Sequence, residues 1–185
     1  MLEGNRVSIR PLEDFDLKTF FQWSHQNEGR SFFLDDKMDI EIGSYIQLEK
    51  EYREKRSQSL IPPLPMVIEE RGGAVIGFLR FTIYYGDNLN ALLSIVFLKR
   101  EHFFEAEGKE AGILMLDYLF GRKNLFRIWT KVIEEERDCL DYLLRLGFKL
   151  EGIQKKQVFL RGRYFDLCNL GILRDEAKWG NTGHD

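Results

Sequence analysis

Residues 92–98, Leu-Leu-Ser-Ile-Val-Phe-Leu, form a near-continuous apolar run that breaks into charge at Lys99 and Arg100. A strand with one wet face alternates apolar and polar side chains. A run with almost no alternation reads as a strand buried on both faces. A short loop follows, and then residues 106–120 carry apolar side chains at helical spacing. Strand, loop and helix in this order belong to an α/β arrangement, with helices packed on a sheet.

The other segments extend that pattern. Arg6-Val-Ser-Ile-Arg-Pro11 is a first strand, stopped by proline. Residues 14–26 read as a helix with Phe15, Phe20, Phe21 and Trp23 on its apolar face. Residues 29–36 read as a loop, and 39–56 as a second helix whose end, 50–56, is a solvated charged stretch. Prolines 62, 63 and 65 make 57–65 a connector. Strands 66–70 and 75–83 flank the turn Arg71-Gly-Gly73, and a loop is expected over 84–90. After the helix at 106–120 come a strand at 126–132 and an amphipathic helix at 136–146, closed by Gly147. Segments 148–160 and 163–173 form a last hairpin around Arg161-Gly162. Residues 178–185 look like a frayed tail. The expected fold is a mixed, twisted sheet of about seven strands flanked by about four helices.

At 185 residues the chain suits one domain, with its core over residues 5–176 and a flexible tail at 177–185. A net charge of −3 gives no bulk attraction to nucleic acid. No apolar run reaches the length of a membrane span, and Met1–Val7 holds no signal-peptide core, so the cytoplasm is expected. Cys139 and Cys168 fit neither a metal site nor a disulfide framework and read as packed free thiols.

The stretch Ala91–Ala111 carries a specific resemblance. It is similar to the core motif of the GNAT N-acetyltransferase superfamily, in its ribosomal-protein-alanine and spermidine acetyltransferase branch. There a strand enters a loop of the form Arg/Gln/Trp-x-x-Gly-x-Gly/Ala, followed by Thr-Glu-Ala and an apolar helix. Here Phe103 stands at the first loop position, Ala106 at the first glycine and Gly108 at the second, with Lys109-Glu110-Ala111 at the helix start. Two later runs also match: Arg145-Leu-Gly-Phe-Lys-Leu-Glu-Gly152 and the closing hairpin 161–173. The element order extends the resemblance over residues 5–176.

The resemblance implies a fold and a site. The loop Phe103, Phe104, Glu105, Ala106, Glu107, Gly108 and Lys109 would hold the diphosphate of acetyl-CoA or another acyl-CoA on backbone N–H groups at a helix N-terminus. Glu105 and Glu107 bring negative charge to that place, or else stabilise the helix N-terminus themselves, while Lys99, Arg100 and Lys109 are the nearby cations. Phe103 and Phe104 read as core aromatics. The N–H groups of Val96, Phe97 and Leu98 would polarise the thioester carbonyl. Glu136 takes the place of the family's asparagine beside the pantetheine arm, and Cys139 that of its small residue.

Leu143 replaces the tyrosine that protonates the departing thiolate in relatives, and Leu92 replaces a frequent glutamate base. Tyr142 is the adjacent tyrosine, a substitute acid or a surface and rim residue, because one helical step turns a side chain by about 100°. His102 is the preferred proton carrier, with a packed loop imidazole as its alternative. Glu101, Asp87, Tyr84 and His25 are further candidates. Trp23, Phe32, Phe33, Tyr84, Tyr85 and Tyr164 are candidates for an aromatic acceptor pocket.

The implied activity is acyl transfer to an amine of a small molecule or peptide. Two alternatives stay open: an enzyme that takes its donor from an acyl carrier protein or runs a different reaction, and a binding module that keeps the fold without catalysis. Homodimerisation is also left open.

Overall fold

The computed structural model describes residues 1–24, 45–57, 65–84, 89–160 and 162–177. Eight strands form one sheet in the order β1-β2-β3-β4-β5-β6-β8-β7. They are β1 (Leu2–Glu3), β2 (Val7–Pro11), β3 (Met66–Glu70), β4 (Val75–Tyr84), β5 (Asn90–Phe97), β6 (Arg127–Ile133), β7 (Lys149–Leu160) and β8 (Arg163–Leu173). The helices are α1 (Leu17–Ser24), α2 (Tyr45–Ser57), α3 (Ala106–Asp117) and α4 (Arg137–Arg145). The strand beyond the expected seven is β1, a two-residue piece that pairs with β2. It is too short to leave a periodic signal.

The helices divide between the two faces. Ala111, Met115, Leu116 and Leu119 of α3 and Leu140, Tyr142 and Leu143 of α4 pack with Ile9, Ile68, Leu79, Leu93 and Ile128 in the larger core. Leu17, Phe20 and Trp23 of α1 and Leu48 and Tyr52 of α2 cover Val67, Phe78 and Val96 on the other face. β5 is thus buried on both sides, as its unbroken apolar run requires.

Polar contacts fix the layers. Glu110, in the first turns of α3, accepts hydrogen bonds from the backbone N–H groups of Asn5, Arg6 and Val7 at 2.8, 2.7 and 3.1 Å. That carboxylate ties α3 to the start of β2. Arg10 on β2 is buried and grips Asp16 with two nitrogens, at 2.6 and 3.0 Å, while its Nε donates to Glu69 at 2.7 Å. The Asp16 carboxylate raises the Arg10 guanidinium above its ordinary range, against the opposing cost of burial. The Tyr52 hydroxyl donates to the Leu12 carbonyl at 2.8 Å and pins α2 over the same end of the sheet.

Several expected boundaries shift. α3 ends at Asp117 and passes into a wider, π-helical turn at Tyr118–Arg122. Tyr84 and Asn90 are strand residues that face each other across β4 and β5, not loop residues. Gly147 stops α4 in the left-handed region at φ 94°, as expected. The expected loop at 29–36, most of the connector and the tail at 178–185 lie outside the described residues. Among the described residues no helix is long and apolar enough to cross a membrane.

Candidate active site

β5 and β6 are parallel, and their pairing ends early. Residues 90–92 register with 127–129, yet β5 runs on to Phe97 and β6 to Ile133. Along that stretch each strand keeps its outer partner: Phe97 lies opposite Gly77 on β4, and Ile133 opposite Leu167 on β8. The sheet therefore splits between β5 and β6. Hydrogen-bond alternation decides which groups line the split. The Leu98 N–H donates to the Ile76 carbonyl at 2.8 Å, so Leu98, and Val96 with it, turns its backbone groups toward β4, whereas Ile95 and Phe97 turn theirs into the split. The Glu134 N–H donates to the Asp166 carbonyl at 3.0 Å, so on β6 the backbone groups of Lys131 and Ile133 face the split. This corrects one expectation. Of Val96, Phe97 and Leu98, Phe97 alone has its N–H on that side.

The chain turns tightly after β5. Residues Arg100–Phe103 make a 3-10 turn, and the Phe104 N–H donates to the Glu101 carbonyl at 2.8 Å. His102 is buried, with its Nδ1 at 2.9 Å from the Glu105 carboxylate and its ring centre 6.3 Å from that of Phe97. Glu105 directly precedes α3, but its carboxylate serves His102 and does not cap the helix. Glu107 lies in the first turn of α3. Its own backbone N–H, and then Arg6 Nη1 at 3.1 Å, hold its carboxyl below the usual range. A β-carbon at Gly108 would overlap the His102 carbonyl oxygen, so this glycine lets the turn lie against α3. The helix-start frame is intact, and its acidic residues are taken up by the protein's own cations and N–H groups. Arg100 is bound to Asp138, while Lys99 and Lys109 are exposed.

Phe103 is the packed aromatic expected, edge-on to Phe97 at 5.1 Å and to Tyr142 at 5.7 Å between ring centres. Phe104 is not. It is 48% exposed, and the Arg145 guanidinium lies over its ring at 4.7 Å, while Arg145 also donates to the Phe103 carbonyl at 2.7 Å.

On α4, Tyr142 is neither a rim residue nor placed as an acid. It is 2% exposed, and its hydroxyl donates to the Gly108 carbonyl at 2.8 Å. Burial pushes that hydroxyl far above the ordinary tyrosine range. The helical step that separates Tyr142 from Leu143 turns it onto α3 instead of out to solvent. Leu143 is buried in the same core. Cys139 is buried too, and burial pushes its thiol up, with Glu136 and Asp138 adding to the effect. Glu136 precedes α4, its N–H donating to the Ile133 carbonyl at 2.9 Å.

The opposite face of the split is built by alternation on three strands. Ile128 and Val132 point to the larger core, so Trp129 and Lys131 point away from it, beside Leu92 and Ser94 of β5. Tyr84 stacks on Trp129 with ring centres 5.9 Å apart. The Trp129 Nε1–H donates to Asn90 Oδ1 at 2.9 Å, and Lys131 Nζ stands 5.5 Å from the Trp129 ring centre. Trp129, Lys131 and Asn90 were not singled out in the sequence. The alternation Arg127-Ile-Trp-Thr-Lys-Val132 already places the tryptophan and the lysine on one face. The expected aromatic pocket does not assemble from the residues named for it. Trp23 is core, packed on Phe20 and Phe78. Tyr164 lies beyond the Ile133–Leu167 pair, at the other end of the sheet from Tyr84, and is 63% exposed against Phe159. Phe32, Phe33, His25, Tyr85 and Asp87 lie outside the described residues.

The fold and the split can now be set beside known proteins. No family model matches the chain. Across 182 residues it is 28% identical to a protein named probable N-acetyltransferase YjcK from Bacillus subtilis (strain 168), covering 95% of this chain and 98% of the relative. It superimposes on spermidine N-acetyltransferase from Vibrio cholerae, solved with CoA and spermine, with a TM-score of 0.76 and 23% identity over 94% of this chain and 99% of that one. A dodecameric structure of the Vibrio enzyme in an intermediate state gives a TM-score of 0.74 at 23% identity, over 98% and 100% of the two chains. The chain has the fold of the GNAT N-acetyltransferases. The structural match runs nearly end to end, so the early break between β5 and β6 lies inside a fully matched fold.

Proposed function

We propose that the chain is an acyl-CoA-dependent N-acyltransferase, with acetyl as the default acyl group and an amine as acceptor. The observation that carries the reading is the split between β5 and β6, with backbone N–H groups turned into it from both strands. Bound acetyl-CoA would supply an activated thioester carbonyl. The chain's own part is to hold and polarise. The N–H of Phe97 faces the split and suits the carbonyl oxygen. The first turn of α3, at Ala106 and Gly108, has no side-chain cap and suits the diphosphate. Phe103, Phe104, Lys109, Glu136 and Cys139 remain proposed neighbours of the donor.

His102 is the proposed proton acceptor, oriented through Nδ1 by Glu105. It is the one histidine among the described residues. Leu92, on the acceptor face, has no titratable group to offer. Two buried, unlinked cysteines fit a reducing compartment, so the cytoplasm remains the proposed location. The outer strand β7 exposes Leu150, Ile153 and Phe159 along an edge with no further strand among the described residues, and we expect self-association there; the similar Vibrio structure is dodecameric.

The test has two arms. Calorimetric titration with acetyl-CoA should show micromolar-range binding, and coenzyme A thiol release should follow on addition of amines from a broad panel. His102→Gln should then lower kcat while leaving acetyl-CoA affinity in place. Absence of acetyl-CoA binding at millimolar concentration would overturn the reading.

A further inference from the structure

Several cations of this acidic chain are neutralised in place, and the lysines that are not, such as Lys99, Lys109 and Lys123, are exposed. Arg127, on the same face of β6 as Trp129, is held by Glu151, and Arg10, Arg100, Lys149, Lys155 and Arg163 each have a carboxylate. Lys131 differs. It is half-buried on β6, two residues past the last β5–β6 pair, and among the described residues its ammonium has no carboxylate. Its Nζ stands 5.5 Å from the centre of the Trp129 ring, which Asn90 and Tyr84 hold in place from the sides. Across the sheet its neighbour on β8 is Asn169, and Ser94 of β5 shares the face. Arg80 of β4, buried opposite Ser94, adds a second cation to this face. A half-buried lysine on an aromatic platform, with no carboxylate among the described residues, is a charge awaiting a counter-ion.

We propose that Lys131 binds an anionic group of the acceptor, so that the substrate class is an amine that also carries a carboxylate or a phosphate, and not a polyamine. The proposal rests on the N-acyltransferase reading above. A polyamine would bring further positive charge against Lys131, at a place where water is partly excluded and repulsion is poorly screened. An acceptor with one anionic end would pair with the ammonium and leave its amine free to point into the split. The platform also restricts shape: the face of Trp129 under Lys131 suits the flat or aliphatic part that joins the two ends.

The experiment compares three matched series: ω-amino carboxylates, aminoalkyl phosphates and α,ω-diamines of equal chain length, with spermidine beside them. In the wild type one anionic series should show a KM at least tenfold below the matched diamine. Which anionic series it is distinguishes carboxylate from phosphate. Lys131→Met should erase that preference through KM with little change in kcat, and Lys131→Glu should reverse it toward the diamines. Equal or better use of diamines by the wild type, or a preference unchanged in Lys131→Met, overturns the proposal.

A second arm needs no turnover. Without acyl donor, propionate or inorganic phosphate should perturb the fluorescence of Trp129, identified by its loss in Trp129→Phe, and ethylammonium should not. The perturbation should vanish in Lys131→Met. If no amine is acylated but this response appears, the enzyme reading fails and the anion site stands. If amines are acylated and the response is absent, the anion site fails alone.

Discussion

The Tyr142 hydroxyl donates to the Gly108 carbonyl at 2.8 Å and so joins α4 to the first turn of α3. The contact closes one side of the helix start that would receive the diphosphate. It also commits the Tyr142 proton to the backbone, and burial holds that proton on at any working pH. Tyr142→Phe removes the donor and leaves a buried carbonyl without it. The expected loss is about 1–2 kcal/mol of stability, measured by urea unfolding. Turnover should stay within about twofold, because no step depends on this proton. A hundredfold drop in kcat with unchanged stability would make Tyr142 the acid after all.

Gly108 has a stricter role than its neighbours. A β-carbon there would meet the His102 carbonyl oxygen, a backbone atom that cannot rotate away. Gly108→Ala should therefore push the 3-10 turn off α3 and destabilise the fold by about 3 kcal/mol, in the upper range for overpacking. Gly72, an exposed glycine with nothing near its missing side chain, is the control, and Gly72→Ala should change the melting temperature little. Similar melting temperatures for the two variants would show that the turn moves freely.

The Arg10–Asp16 pair tests how the α1 face is held. Both side chains are almost fully shielded, and Asp16 is gripped by two Arg10 nitrogens. Asp16→Ala leaves a buried guanidinium with Glu69 as its one remaining carboxylate among the described residues. Removal of one partner of a buried pair costs about 3–5 kcal/mol, so this variant should be the least stable of the set. Arg10→Met with Asp16→Leu should recover most of the loss. No recovery in the double variant would mean that the pair sets geometry that apolar side chains cannot.

What could be read in the sequence follows from which signals are local. Buried β5, the turn glycines at 147 and 162 and the amphipathic α4 each leave a mark within a dozen residues, and the structure has them where expected. The split between β5 and β6 leaves no such mark. It depends on where two strands separated by α3 stop pairing, and no residue type encodes that. Glu105 and Glu107 were read correctly as acids at a helix start. Their partners, His102 and Arg6, are set by the path of the turn and by the distant β2. A tryptophan in a strand pattern reads first as core, so Trp129 carries no site signal of its own. The pairing of β6 on both sides shows which face of the sheet Trp129 stands on.

Asp117 gives the chain an acid-side signature. Partial burial raises its carboxyl above the ordinary range, so between the unfolded and folded values the native state binds the extra proton. That makes stability fall as pH rises through the window and recover on acidification. Glu151 has the opposite sign. Arg127 holds its carboxyl low, so its contribution is present above the unfolded carboxylate range and is lost as pH falls through the lower folded value. Thermal unfolding at constant ionic strength should therefore show stability rising on acidification into the Asp117 window, then falling at lower pH as Glu151 takes up its proton. Asp117→Asn should flatten the rise and leave the fall. A rise that persists in Asp117→Asn would assign it to another group.

The carboxylate of Glu107 is the sharpest test of how the donor is held. It sits on its own backbone N–H in the first turn of α3, paired with Arg6, where a diphosphate would otherwise take that N–H. Like charges in this place repel, and the repulsion weakens with salt. Glu107→Gln keeps the side-chain length, removes the charge and releases Arg6 toward the incoming anion. Acetyl-CoA affinity should rise several-fold at low salt in this variant, and the gain should shrink as ionic strength increases. Dephospho-CoA, which keeps the diphosphate but lacks the ribose phosphate, should show the same gain. Pantetheine, which has no phosphate at all, should show none. An equal gain for pantetheine, or no gain for any of the three, would place the diphosphate elsewhere than on the N-terminus of α3.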